Sequence, residues 1–305
     1  MSVFDKLVVG MMPVVPKPIV GYFSRRYIAG DSIEEALEVA RDLNRQGCMV
    51  TMDILGEDIK RREEALEARD AYLRLIDALN DARIDGNVSL KPTSMGLTFD
   101  LDFAEANIKA IVAAAHGVNS FVRIDMEDSP TTDDTLEVHR RIRQEYDNTG
   151  VVLQSCLRRT LNDTRKLIAM KTNIRLCKGI YIEPYRLSWR DPEIIRRNFV
   201  LILEELLKAG CYVAIATHDE ILVFEALRII HRLGLPREAY EFQMLLGVSE
   251  NLRRILVDEG HRMRVYVPFG RDWYAYSTRR LKENPKMAST IAMDVLGLSA
   301  DRKRR

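Results

Sequence analysis

Two rhythms of apolar and polar positions alternate along the chain. Short β-rich runs fall at Cys48–Leu55, Asn87–Thr93, Phe121–Glu127, Val151–Leu157, Asn173–Ile180, Tyr212–His218, Tyr240–Leu246 and Arg264–Phe269. Between them lie segments whose apolar residues recur at helical spacing. The longest, Lys60–Arg83, sets Ala65, Ala68, Tyr72, Leu75 and Leu79 on one stripe. Others span Asp102–His116, Thr132–Tyr146, Asn162–Met170, Pro192–Ala209, Glu220–Leu233 and Glu250–Glu259. Gly86, Gly117, Gly150, Gly210, Gly234 and Gly260 each fall where a helix should exit, a position that favours glycine. Strands alternating with helices, without a break in composition, predict one closed parallel sheet: an α/β protein with a (β/α)8 TIM-type barrel. An open doubly wound sheet is the alternative, but no G-x-G-x-x-G follows any strand, which removes its usual dinucleotide signature. The expected division is an N-terminal arm and helix packed on the barrel (1–46), the barrel with an extra C-terminal helix (47–298), and a disordered basic tail (299–305).

Buried strands of a parallel barrel should read as continuous apolar runs. These do not: Asp53, Lys91, Arg123, Asp125, Gln154, Arg175, Thr217, His218, Gln243 and Tyr266 interrupt them. A charge inside a barrel costs several kcal/mol unless it is paired or meets a ligand, so the set points to a site. The competing reading is a network that pins the barrel, for instance Arg123 with Asp125. Parity puts Arg175 and Cys177 on one face and leaves Lys178 at the strand tip, where Gly179 opens a loop. A Lys-Gly exit suits an approach to phosphate, though such turns are common. His218, followed by Asp219, is either a neighbour of a helix cap or a cofactor contact. After the turn at Pro268–Gly270, Tyr276, Arg279, Arg280 and Glu283 share one stripe of a predicted helix. That stripe is either a solvated face or a double guanidinium grip on an anion.

Composition narrows the classes. The chain has 305 residues, 47 % hydrophobic and 30 % charged, with a formal net charge of +1; it predicts no long-range pull toward nucleic acid. No apolar run approaches the roughly 20 residues that span a bilayer. The apolar patch Leu7–Val15 has Asp5, Pro13, Pro16 and Pro18 in and around it, which spoil a secretory or spanning helix; it reads as a packing arm, with peripheral membrane contact as the alternative. Cys48, Cys156, Cys177 and Cys211 form no C-x-x-C pair, so buried free thiols are expected and zinc is not.

With these motifs in view, the chain resembles the catalytic domain of proline dehydrogenase, a flavin-dependent (β/α)8 barrel. The resemblance runs from about residue 27 to 290. It rests on Asp53-Ile-Leu-Gly-Glu57, Leu90-Lys91, Val122-Arg-Ile-Asp125, Val152-Leu-Gln154, Arg175-Leu-Cys-Lys-Gly179 with Tyr181, Ala216-Thr-His218, Glu241-Phe-Gln-Met-Leu245 with Gly247, and Tyr266 through Arg280. Its size is similar to the compact monofunctional bacterial form. The resemblance implies oxidation of L-proline to Δ1-pyrroline-5-carboxylate, the first step of its degradation to glutamate, with hydride transfer to N5 of FAD and electrons passed to a membrane quinone. It implies Asp125 and Arg175 as catalytic-site residues, Arg175 near N5. Lys91, Arg279 and Arg280 would hold the carboxylate, with Leu245, Tyr266 and Tyr276 around the ring and Glu57 as a gate. Met126, Gln154, Arg175, Lys178, Gly179, Ile180, Thr217 and His218 would bind the cofactor. A cytoplasmic protein, peripheral on the inner face of the membrane, is likewise implied. Ile182 and Leu246 depart from family positions that carry an aromatic residue and a histidine. Two other chemistries compete: a methylenetetrahydrofolate reductase-like flavin barrel, and a Schiff-base lyase using Lys91.

Overall fold

The computed structural model describes residues 26–56, 59–274 and 277. Its strands are β1 (Met49–Ile54), β2 (Gly86–Leu90), β3 (Val122–Ile124), β4 (Thr149–Gln154), β5 (Asn173–Cys177), β6 (Val213–Ala216), β7 (Tyr240–Leu245) and β8 (Met263–Phe269). They run parallel in sequence order, and β1 closes on β8. The helices are α1 (Ile33–Arg45), α2 (Arg62–Asp81), α3 (Leu101–Gly117), α4 (Thr132–Ile142), α5 (Thr160–Ala169), α6 (Pro192–Lys208), α7 (Glu220–Leu233) and α8 (Glu250–Asp258). The barrel expected from the alternating pattern is therefore present. No described helix is long and apolar enough to cross a membrane.

Strict alternation along the strands explains the polar interruptions. Val50 and Met52, Val88 and Leu90, Val122 and Ile124, Ile174 and Leu176, Val213 and Ile215, and Val265 and Val267 join the apolar core, facing the helices. The intervening residues face inward, and many are polar. The hydrophobic core is thus a sleeve between strands and helices, while the barrel axis is filled by hydrogen-bonded side chains. Most (β/α)8 barrels fill that axis with branched apolar residues.

Helix α1 precedes the first strand yet packs against β1 and β8, the place a helix following the eighth strand would take in a regular repeat. Its start is capped by Ser32, whose side chain accepts from the amide of Glu35. The segment just before it runs along the barrel's closing seam, with the Ala29 amide donating to the Pro268 carbonyl at 2.9 Å. Residues 1–25 of the expected arm, the expected extra C-terminal helix and the tail 299–305 lie outside the described residues.

Several strands end earlier than their apolar runs suggested. β2 stops at Leu90 because Pro92 opens a short 3-10 turn, β3 stops at Ile124, and β5 stops at Cys177. Lys91, Asp125 and Lys178 therefore stand on the C-terminal rim, where barrel active sites form. Two glycines expected at helix exits, Gly86 and Gly150, are strand residues. Gly150 is fixed by space: a β-carbon there would lie 2.1 Å from the Asn173 carbonyl oxygen and 2.7 Å from Arg123 Nη1. Gly150→Ala must therefore spread β4 from β5 or expel the Arg123 side chain. It is expected to destabilise the fold by about 1–3 kcal/mol, read as a lowered thermal midpoint; an unchanged midpoint would contradict this packing.

Candidate active site

One connected set of inward side chains runs along the barrel axis. Near one end, Arg264 Nε meets Glu241 Oε1 at 2.9 Å and Oε2 at 3.1 Å, and Tyr212 donates to Glu241 Oε2 at 2.8 Å. Gln243, two residues along β7, donates to Glu241 at 2.5 Å and accepts from Arg175 Nε at 2.6 Å. Arg175 then reaches across the barrel: its Nη1 lies 2.6 Å from Asp125 Oδ1 and 3.1 Å from Ser89 Oγ, and Ser89 donates to the same Asp125 oxygen at 2.7 Å. The Tyr266 ring lies under the Arg175 guanidinium, 5.3 Å away, a distance at which a cation attracts the ring face. The Tyr266 hydroxyl bonds Asp53 Oδ2 at 2.7 Å and approaches Asp125 Oδ2 at 3.4 Å. Lys91 Nζ donates to that same Asp53 oxygen at 2.7 Å.

Electrostatics follow from this packing. Four cations, Lys91, Arg123, Arg175 and Arg264, are buried along the axis with three carboxylates, Asp53, Asp125 and Glu241. Burial, with the neighbouring Arg175 charge, pushes Arg123 down to about 9. Arg123 does not pair with Asp125, the example given for a network that merely pins the barrel; it donates to the carbonyls of Val151 and Asn173 at 2.9 and 2.7 Å. Burial pulls Lys91 downward, but Asp53, with Tyr266, Tyr72 and Asp125, outweighs it and raises it well above the usual lysine range. Lys91 is therefore an ammonium at any ordinary pH. Arg175 Nη2 is buried with no hydrogen-bond partner, a donor held ready inside the site.

A second group rings the same rim. Lys178 Nζ and Arg196 Nε both meet Asp219 Oδ2, at 3.0 and 2.8 Å. Asp219 caps α7 through the amide of Ile221, and Thr217 Oγ1 accepts from the Asp219 amide at 3.1 Å. His218 Nε2 accepts from the Leu245 amide at 3.2 Å, which puts the ring hydrogen on Nδ1. Gly179 has φ +96°, and a β-carbon there would strike Cys156 Sγ at 2.3 Å and Gln154 Oε1 at 2.9 Å; both backbone and space require glycine. Gln154 is buried and donates to the Glu127 carbonyl at 2.8 Å, fixing the loop that carries buried Met126. Ile180 and Ile182 are exposed, Ile182 by 88 %.

The structure thus brings Lys91, Asp125, Arg175 and Tyr266 into one network and sets Met126, Gln154, Lys178, Gly179, Ile180, Thr217, His218 and Leu245 at adjoining strand ends. Glu57, Tyr276, Arg279 and Arg280 lie outside the described residues. Sequence reading assigned no role to Ser89, Tyr72, Glu241, Arg264 or Arg196. Ser89 shares the inward parity of Lys91 and was within reach of that argument; Arg196 sits on an amphipathic helix and carries no such signal.

Comparisons with known proteins agree with this geometry. A family model described as proline dehydrogenase matches residues 36–293. A proline dehydrogenase of Deinococcus radiodurans is 38 % identical over 278 residues, 90 % of either chain. Proline dehydrogenase 1 of Bacillus subtilis is 35 % identical over 273 residues, again 90 % of each. The crystal structure of proline utilization A from Bdellovibrio bacteriovorus inactivated by N-propargylglycine superposes with a TM-score of 0.81 at 26 % identity; the match covers 92 % of this chain and 34 % of that longer one. The chain belongs to the proline dehydrogenase family.

The axial network carries a pH signature. Burial would raise the Glu241 carboxyl, but the charge and hydrogen bond of Arg264, with Gln243 and Tyr212, hold it down at about 2. Its folded value is below the unfolded one of about 4.3, so the ionised group contributes stability above that pH and loses it as pH falls toward 2. Glu241→Gln is expected to lower the thermal midpoint at neutral pH and to flatten its decline between about pH 4.3 and 2. Equal slopes for both proteins would contradict the assignment.

Proposed function

We propose that the protein oxidises L-proline to Δ1-pyrroline-5-carboxylate with FAD as the resident acceptor, and that a quinone takes up the electrons. The observation that carries this reading is the set of cations at the C-terminal half of the barrel, buried Lys91 and Arg175 with half-buried Lys178 and Arg196, and Arg175 Nη2 lacking a partner, in a chain of the proline dehydrogenase family. The residues fit a flavin: an unpartnered guanidinium donor, cations from β5 and α6 that suit a pyrophosphate, and a glycine exit at Gly179. Bound FAD would supply the hydride acceptor at N5. Lys178, Gly179, Ile180, Thr217, His218, Gln154 and Met126 would hold it.

Proline brings a carboxylate and a secondary amine. Lys91, Arg279 and Arg280 grip the carboxylate by charge-assisted bonds, Tyr266, Tyr276 and Leu245 bound the ring, and Glu57 gates the entrance. Arg175, fixed by Asp125 and Gln243, would hold positive charge beside the bound flavin and so favour its reduced form. The substrate amine must shed a proton for hydride loss, so turnover rises with pH through the amine's ionisation. The domain division proposed is the arm and helix 1–46, the flavin-binding barrel 47–298 and the tail 299–305, with peripheral contact at a membrane delivering electrons to the quinone. A Schiff-base lyase is disfavoured, since it needs a neutral lysine and Lys91 is held as an ammonium by Asp53.

The test is a purified protein with a flavin spectrum that reduces a quinone analogue only when L-proline is added; a colourless protein, or acceptor reduction indifferent to proline, would contradict the reading. Arg279→Met and Arg280→Met are each expected to weaken proline binding by about 1.5–3 kcal/mol, and unchanged Michaelis constants in both would remove the grip. Lys91→Ala is expected to depress turnover while flavin stays bound; flavin loss would mean that Lys91 belongs to the cofactor site.

A further inference from the structure

Strands β1 and β2 part company at their C-terminal ends. β1 stays paired with β8 as far as Ile54 opposite Phe269, but its register with β2 ends at Met52 opposite Val88. Past that point the half-buried Ile54 amide and the buried Ser89 carbonyl lack ladder partners across a gap, a costly arrangement unless another group meets them. The hydroxyl of Tyr72 fills the gap. It accepts from the Ile54 amide at 3.2 Å and lies 2.8 Å from the Ser89 carbonyl oxygen and 3.2 Å from Asp53 Oδ1. Tyr72 belongs to α2, outside the barrel, and is 1 % exposed. Its phenol therefore crosses the barrel wall from the helix layer and ends against the site.

Both residues that it touches there lead to reacting positions. Asp53 offers its other oxygen to Lys91 and Tyr266. Ser89 turns its own side chain to Asp125 and Arg175. One hydroxyl thus braces the two supports of the site from behind. The apolar spacing of α2 explains the tyrosine's ring, which packs with Leu75 and Leu79 in the core, but not its oxygen; a phenylalanine would fill the same stripe.

We propose that Tyr72 is a positioning residue for proline oxidation, its hydroxyl bridging β1 to β2 so that Asp53 and Ser89 hold Lys91, Tyr266 and Asp125 in register. This rests on the proposed function above. Tyr72→Phe keeps the ring and removes the bridge. It is expected to raise the proline KM about tenfold while kcat stays within about twofold, because Asp53, the shared anchor of Lys91 and Tyr266, loses the contact that steadies its other oxygen. Ile76→Val, a buried change on the same helix, should lower the thermal midpoint and leave KM alone. In an Asp53→Asn background the effect of Tyr72→Phe should shrink, since the two act through one path. Amide exchange at Ile54 should accelerate in Tyr72→Phe and not in Ile76→Val, whatever the substrate proves to be. Unchanged Ile54 exchange, a KM equal to wild type, or full additivity with Asp53→Asn would each overturn the proposal. Wild-type protein inert toward proline with Ile54 exchange accelerated in Tyr72→Phe would instead overturn the proposed function and leave the bridge standing.

Discussion

Arg175 is the hinge of the electrostatic arrangement. Its guanidinium is buried in a barrel axis, where an unpaired charge would cost several kcal/mol. It persists because its edges are met from two directions: Gln243, itself anchored by Glu241 and Arg264, and Asp125 with Ser89. The same contacts that make the buried charge tolerable fix its orientation and leave the Nη2 amino group unspent.

That arrangement explains why this barrel has a polar axis at all. An axis packed with valine and isoleucine would be more stable but could present no charge to a bound anion. Here the hydrophobic contribution is confined to the sleeve of outward strand residues and inward helix residues. The axis is free to carry cations at the cost of a carboxylate framework beneath them. Tyr72 extends the same logic through the wall, since a residue of the outer layer completes a ladder that the strands leave open.

Much of this was legible in the sequence because a period of two in the strands and of 3.6 in the helices are imposed by backbone geometry. All eight strand runs were found, and Arg175, Asp125, Lys91 and Tyr266 stood out as charged or phenolic breaks in apolar runs. What was not legible is instructive. Arg123 and Asp125 share a face, which allows a pair between them, yet Arg123 turns to backbone carbonyls on β4 and β5, because parity gives a face and not a partner. Gly150 looked like a helix stop, whereas its lack of a side chain serves strand contact. Tyr72 fitted its apolar stripe so well that nothing in the spacing drew attention to its hydroxyl. The roles proposed for Arg279, Arg280 and Tyr276 rest on family resemblance, since a stripe of arginines on a predicted helix is equally a wet face.

The most direct test of Arg175 as the site's organising charge is anaerobic rapid mixing with L-proline, following the flavin absorbance in wild type and Arg175→Ala. Rapid bleaching in wild type and bleaching slowed by about 10²-fold or more in the variant, with flavin retained, is the expected result. A variant that bleaches at the wild-type rate would contradict it.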